Sequence, residues 1–218
     1  MRNGTRAVVK PAIRPARTED AGFIAANILL SQRGHRSRGW FDIALAQPEQ
    51  QVLDFIGKLA VARQRSWWHA SQFIIAEVEG QPAAALCAMP VAGADDAAVA
   101  AIKEVAGATG LSAREILRRG AYLDDCWVEA ADGDWLIEHV ATVSAYRGRG
   151  LVQALIAHAL AAGKAAGHAT ASIPFLIGNE AAERCYVKAG FSLAEEKRDA
   201  AFEALTGAPG FRRFARTI

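Results

Sequence analysis

The stretch AYRGRGLVQALIAHALAAGKAAG, Ala145 to Gly167, decides how this chain is read. It sets two glycines, Gly148 and Gly150, and two arginines, Arg147 and Arg149, directly before a helical run from Leu151 to Ala166 that Gly167 ends. Upstream, DWLIEHVATV (Asp134 to Val143) has the apolar, β-branched character of a buried strand. A strand that turns through Ser144 to Gly150 into a helix presents orphan backbone N–H groups and a partial positive charge at the turn. Glycines let those groups approach an anion with no Cβ in the way. The two guanidiniums add charge and hydrogen-bond donors suited to phosphate oxygens. The pattern predicts a cradle for a phosphate or pyrophosphate; the plainer alternative is a tight turn with solvated arginines. No Gly-Lys-Ser/Thr follows and no G-x-G-x-x-G occurs here, which excludes the nucleoside-triphosphate loop and the dinucleotide fingerprint.

Outward from this stretch, HATASIPFLI reads as a strand, NEAAERCYVKAGF as a helix closed by Gly190, and FRRFARTI as a last strand. Strand–helix alternation of this kind predicts an α/β sheet covered by helices. In the first half, a short strand near Ile13 precedes a helix that Thr18 caps, with Glu19 and Asp20 at its positive end. Ser31 to Leu45, basic and broken by Gly34 and Gly39, reads as a loop, and a second helix spans Pro48 to Arg65. Phe73 to Glu79 and Ala83 to Met89 form a hairpin about Gly80, which makes the sheet mixed. The connection from Val91 to Asp134 is too long to be structureless; it predicts two helices, Asp95 to Ala106 and Ser112 to Arg119, the second with Ser112 and Glu115 at capping-box spacing. Residues 1–10 read as a flexible tail and 11–218 as a single domain with a helical elaboration at about 91–134.

Bulk properties narrow the function. The chain has 218 residues, 52% of them apolar, and a formal net charge of +2. A core of ordinary size is available, and the charge balance argues against a nucleic-acid or membrane-surface partner. No apolar run is long enough to cross a bilayer and residues 1–10 carry no signal core, so a cytoplasmic location is expected. Cys87, Cys126 and Cys185 are widely spaced, as expected of reduced thiols and not of a disulfide framework or a metal site.

Two segments together resemble the GNAT superfamily of acetyl-CoA-dependent N-acetyltransferases. VATVSAYRGRGLVQALI is similar to that family's motif A, Arg/Gln-x-x-Gly-x-Gly/Ala, with Arg147, Gly148, Arg149, Gly150 and Leu151 in place and Val152 at the final small position. NEAAERCYVKAGF is similar to its motif B, with Asn179, Ala182, Tyr186, Lys188, Gly190 and Phe191 matching. The close resemblance covers Asp134 to Glu195, the hairpin and first elements extend it to about Ala12, and the 91–134 connection is an elaboration.

The resemblance implies a mixed sheet whose two central parallel strands splay apart, with helices on both faces. Pro174, inside the later strand, removes a ladder donor and is consistent with local unpairing there, the alternative being a bulge unrelated to any ligand. Acetyl-CoA as co-substrate would rest its pyrophosphate on the motif A segment, Arg147 to Val152, and its pantetheine along Ala141, Thr142 and Val143, with Asn179 contributing. Asn179 is also placed to cap its helix. Tyr186 is the expected proton donor to the departing thiolate; its alternative is core packing. Glu138 is the preferred base, directly or through water, with His139 or no side-chain base as alternatives. Adjacent strand residues point to opposite faces, so one of that pair should face the cleft unless a bulge intervenes. Trp40, Phe41 and Asp42 are candidate acceptor-pocket residues that could equally be packing. His158, Trp67 and Trp68 read as packing or surface residues. The implied reaction is direct transfer from acetyl-CoA to a small-molecule or peptide amine without a metal; the alternative is a non-catalytic acyl-CoA-binding or regulatory module. The long connection offers a surface for a homodimer.

Overall fold

The computed structural model describes residues 11–218, so the expected tail, residues 1–10, lies outside it. The described elements run β1 (Ala12–Pro15), α1 (Ala21–Arg33), α2 (Trp40–Leu45), α3 (Glu49–Leu59), β2 (Phe73–Val78), β3 (Gln81–Pro90), α4 (Ala94–Thr109), α5 (Ala113–Gly120), β4 (Trp135–Thr142), α6 (Leu151–Ala165), β5 (Thr170–Leu176), α7 (Glu180–Lys188), β6 (Ser192–Arg198), α8 (Ala200–Thr206) and β7 (Gly210–Thr217). The strands form a seven-stranded sheet in the order β1-β2-β3-β4-β5-β7-β6. β4 and β5 are the parallel neighbours; the other neighbours are antiparallel.

The two-residue period of β3 sorts the core into two layers. Ala85, Cys87 and Met89 face a cluster built with α1, α3 and α4, including Ile28, Phe55 and Ile102. Ala84 and Leu86 face the other cluster, with Leu155 of α6, Tyr186 of α7 and Ile137 of β4. The hairpin turns tightly because Glu79 and Gly80 both take positive φ, 53° and 75°, as a two-residue loop between twisted strands requires. Ser112 caps α5 through Glu115 N, 3.3 Å, as its spacing predicts. Among the described residues no helix is long and apolar enough to cross a membrane, and the three cysteines are free thiols.

Three local expectations are corrected. Thr18 does not cap α1: Thr18–Asp20 is a 3₁₀ turn, and Asp20 instead accepts hydrogen bonds from Arg14 and from Arg17 N. Ser31 to Leu45 is not all loop. α1 runs to Arg33, and α2 forms because Asp42 folds back onto Gly39 N (2.8 Å) while Arg33 grips the same carboxylate at 2.7 and 2.9 Å. The helix expected over Pro48 to Arg65 ends at Leu59. β6 and α8 carried no expectation. β6 is an exposed, charged edge strand held to β7 by Arg212–Glu196 (2.6 Å) and Arg213–Glu195 (3.4 Å) ion pairs.

The 91–134 elaboration lies over the first cluster, α4 against α3 and α5 against α2. Arg119 of α5 donates to the carbonyls of Ala44 and Leu45 at the end of α2. The Trp40 indole donates to Gly120 O (3.1 Å) and stacks on Trp68, 6.0 Å between centroids. A methyl group on Gly120 would overlap that indole. Gly120→Ala gains up to about 1 kcal/mol of helix propensity, yet overpacking a fixed ring costs about 1–3 kcal/mol, so net destabilisation is expected. At about 2–4 °C per kcal/mol, a thermal melt reads it directly, and an unchanged Tm would refute this account of the joint.

Candidate functional site

β4 does not keep its two-residue period. Cys87 pairs with Glu138 and Ala85 with Ala141, so Leu86 alone faces both His139 and Val140. The extra residue is a β-bulge, and His139 absorbs it at φ 52°, a left-handed conformation in which His is one of the better tolerated residue types. The Asn27 side chain of α1 holds the bulge by donating to His139 O at 2.5 Å. The bulge is the exception that the alternation of strand residues allows, and it puts Glu138 and His139 on the same side of the sheet. Glu138 lies beside Cys87, and His139 stacks on Phe73 with centroids 6.0 Å apart; both Cys87 and Phe73 belong to the α1/α3/α4 cluster. Glu138 Oε2 and His139 Nε2 stand 3.6 Å apart.

Burial sets the charge of both groups. It raises the Glu138 carboxyl from the ordinary carboxylate range to about 8, with the negative charge of Asp95 adding to the effect. It lowers His139 to about 3. At neutral pH the resting pair is therefore a neutral carboxylic acid beside a neutral imidazole. The neighbouring Cys87 thiol is pushed well up by burial and by Glu138.

The parallel strands part immediately after they meet. β4 and β5 pair only at Trp135↔Ala171 and Leu136↔Ser172, although β4 continues to Thr142 and β5 to Leu176. Pro174 lies in the parted stretch, which pairs with β7 alone. From Ile137 onward β4 thus has a backbone edge not taken up by β5, and this edge includes Ala141 and Thr142. Val143, just beyond, is an exposed apolar residue.

The cradle lies at the top of β4. A 3₁₀ turn, Ser144–Tyr146, leads through Gly148 (φ 74°) and Gly150 (φ 76°) into α6. The N-cap Gly150 has no side chain to cap α6, which leaves its first N–H groups without that partner among the described residues. An added Cβ at either glycine would meet nothing within 4 Å, so the left-handed backbone and not crowding calls for glycine there. Arg147 and Arg149 are exposed; Arg149 lies over the Tyr146 ring, 5.1 Å from its centroid. Leu151 anchors the helix start in the core, and Val152 is half-buried against the same α6-side cluster.

Asn179 caps α7 by accepting from Ala182 N at 3.3 Å. Tyr186, about two turns further, is buried edge-on to Phe175, 5.3 Å between centroids. Burial raises its phenol above the ordinary tyrosine range. The loop after α1 reaches the same place: a Cβ on Gly34 would be 3.3 Å from Asn179 Nδ2, and one on Gly178 would be 3.2 Å from His35 Nε2.

Other candidates are drawn elsewhere. Phe41 is fully buried, Trp40 is held by Gly120 and Trp68, and Asp42 is occupied by Arg33 and Gly39, so all three serve packing and capping. His158 is exposed on α6, and Trp68 is buried. Ser31, which had no assigned role, reaches the site with its Oγ 3.3 Å from His139 Nδ1. Its place follows from α1 running past residue 31. No three or more His, Cys, Asp or Glu among the described residues are grouped to hold a metal ion.

A family model described as the acetyltransferase (GNAT) family matches residues 40–191. The fold is similar to that of an N-acetyltransferase from Staphylococcus aureus Mu50, at 25% identity and a TM-score of 0.64, covering 94% of this chain and 100% of that one. It is also similar to a crystal structure of an acetyltransferase (17% identity, TM-score 0.65, 95% and 99% covered) and to an agmatine N-acetyltransferase (14%, 0.58, 96% and 100%). No curated protein matches the sequence.

Proposed function

The chain belongs to the GNAT acetyltransferase family, and from that premise we propose that it transfers an acetyl group from acetyl-CoA directly to an amine in a ternary complex. The observation that carries this reading is the parting of β4 from β5 beside the uncapped start of α6. The opening and the helix start suit the two chemically distinct parts of the donor. Amide groups of an extended arm match the edge of β4 that β5 leaves, at Ala141 and Thr142, and a pyrophosphate matches the N–H groups, Arg147 and Arg149 of the cradle. Acetyl-CoA supplies an activated acetyl group; the protein supplies position and proton handling.

A free alkylammonium has a pKa of about 10 and is not a nucleophile. Ionised Glu138 takes one proton from it, directly or through water. As the C–N bond forms and the C–S bond breaks, the electron pair of the latter goes to sulfur, which takes the Tyr186 proton. The second nitrogen proton, lost as the amide forms, replaces it on Tyr186. The net reaction releases one proton, carried off from Glu138. Asn179 caps the start of α7, the helix that carries Tyr186.

Thermal unfolding with acetyl-CoA, CoA and NADH tests the reading. Acetyl-CoA at about 100 times its Kd stabilises by about 2.7 kcal/mol, a rise of several degrees in Tm, and NADH gives none. An amine screen read by thiol release follows, with agmatine and peptide amines among the acceptors. A Tm rise without turnover of any amine would favour the non-catalytic acyl-CoA-binding module, and no rise would end both readings.

A further inference from the structure

The bulge on β4 assembles a three-residue array around the buried Glu138 and His139, and its hydrogens can be assigned. Ser31 Oγ lies 2.8 Å from Ile28 O, and a carbonyl can only accept, so the hydroxyl hydrogen points there. Toward His139 Nδ1, at 3.3 Å, Ser31 can therefore only accept. Nδ1 accordingly carries the hydrogen of the neutral imidazole, and Nε2 presents a lone pair. Nε2 is the nitrogen 3.6 Å from Glu138 Oε2, and it is buried with no hydrogen-bond partner among the described residues. Backbone strain, the Asn27 bond to His139 O and the Phe73 stack all fix this ring in place. A left-handed residue in the middle of a core strand is costly, and it persists only where its surroundings enforce it.

We propose that Glu138, His139 and Ser31 act as one proton-holding unit, in which His139 Nε2 accepts the hydrogen of protonated Glu138 and Ser31 locks the tautomer that makes this possible. His139 is thus a positioning residue for the acetyl transfer inferred above, and the proposal rests on that reading. When Glu138 takes the acceptor proton, the amine N–H bond breaks and a carboxyl O–H bond forms. That O–H turns to Nε2, away from the amine, so the proton is not handed back before the C–N bond is made. Ser31 neither gains nor loses a proton. The unit returns its single proton to solvent when the product leaves.

The other titratable groups whose charge bears on the pair are Asp95, from α4, and the Cys87 thiol, from β3; among the described contacts α1 brings the uncharged Ser31 and Asn27, and β2 the Phe73 ring. These stay the same in the variants below. A hydrogen bond that closes the 3.6 Å gap when Glu138 is protonated favours that form, so a variant that cannot make it ionises Glu138 at lower pH.

The test uses the full chain as wild type, His139→Asn and Ser31→Ala. Asparagine tolerates the left-handed backbone and offers no basic nitrogen. Acetyl-CoA thermal shifts report folding and donor binding, kcat is followed against pH, and ¹⁵N NMR of the histidine ring reports the tautomer. In the wild type, NMR is expected to find Nδ1 protonated and Nε2 bare, and Ser31→Ala to mix the two tautomers. His139→Asn is expected to keep the acetyl-CoA shift while the rising limb of kcat moves down by about one pH unit. An unchanged limb in an active His139→Asn enzyme would show that the ring only packs. If that variant does not fold, the wild-type spectrum decides, because a protonated Nε2 overturns the proposal outright. A wild type that neither binds acetyl-CoA nor acetylates any amine would remove the functional reading first, and the proton-holding role with it.

Discussion

Glu138→Gln is expected to lower kcat/KM for acetyl transfer by about 10²–10⁴-fold, the usual contribution of a positioned acid–base group, while making the protein more stable at alkaline pH. The activity side follows from need: glutamine keeps the shape of the side chain and cannot take a proton from an ammonium. In the wild type, burial raises the carboxyl to about 8, so the fraction of competent, ionised enzyme grows as pH rises through that value. kcat/KM is therefore expected to climb up to about pH 8 and level off above it.

The stability side has the opposite sign. Between the ordinary carboxylate value and about 8, the folded protein holds a proton on Glu138 that the unfolded chain has lost. Stability consequently falls as pH rises through that window. His139 does the reverse: it stays neutral down to about 3 when folded, whereas the unfolded chain protonates it below its ordinary value of 6.5, so stability falls as pH drops through that interval. Where the two windows overlap, the opposing slopes cancel. Glu138→Gln removes the alkaline limb and leaves the acid one, a concrete case of a site group held at the expense of stability. Melts of both proteins at pH 6 and pH 9 check it: the variant's advantage must be larger at pH 9. An equal Tm difference at the two pH values would mean that Glu138 is not a buried, neutral acid.

Much of the framework is legible along the chain because it is built from local rules. The glycine–arginine turn leads into α6 where the pattern places it, Ser112 and Asn179 cap the helices they precede, and the hairpin closes at Gly80. What escapes are features made by partners distant in sequence. α2 reads as a loop because Gly34 and Gly39 look like breakers, yet Arg33 and Asp42 together stabilise its first turn. β6 is too charged to read as a strand until Arg212 and Arg213 of β7 are opposite its glutamates. The bulge is the sharpest case. Nothing in WLIEHVAT marks an extra residue; it exists relative to the register of β3 and is pinned by Asn27, far away in sequence. The bulge brings both Glu138 and His139 to one face, so the pair could be picked out from sequence while its geometry could not.

Tyr186→Phe is the second large effect: kcat is expected to fall about 100-fold or more with the acetyl-CoA thermal shift retained. The ring packs edge-on against Phe175 and would do so equally as phenylalanine, so fold and donor binding should survive. What disappears is the proton for the departing thiolate. Tyr186 belongs to the α6/α7 core layer, while Glu138 and His139 lie on the α1/α3/α4 side. The proposed base and acid thus stand on opposite faces of the sheet, and in that reading the parting of β4 and β5 is where one reaction meets both. Burial acts on them in a complementary way. It keeps the phenol protonated beyond its ordinary range, and it lets Glu138 ionise from about 8 upward. Two groups whose ionisations are pushed apart in this manner leave a pH interval in which the base is empty and the acid still full. The wild-type profile should accordingly show no descending limb below about pH 10, and Tyr186→Phe should lower the plateau without moving the Glu138 limb. If the variant turns over at the wild-type rate, sulfur leaves as the free thiolate and the tyrosine is core packing alone. If it loses the acetyl-CoA shift instead, the hydroxyl anchors the donor and has no part in proton transfer.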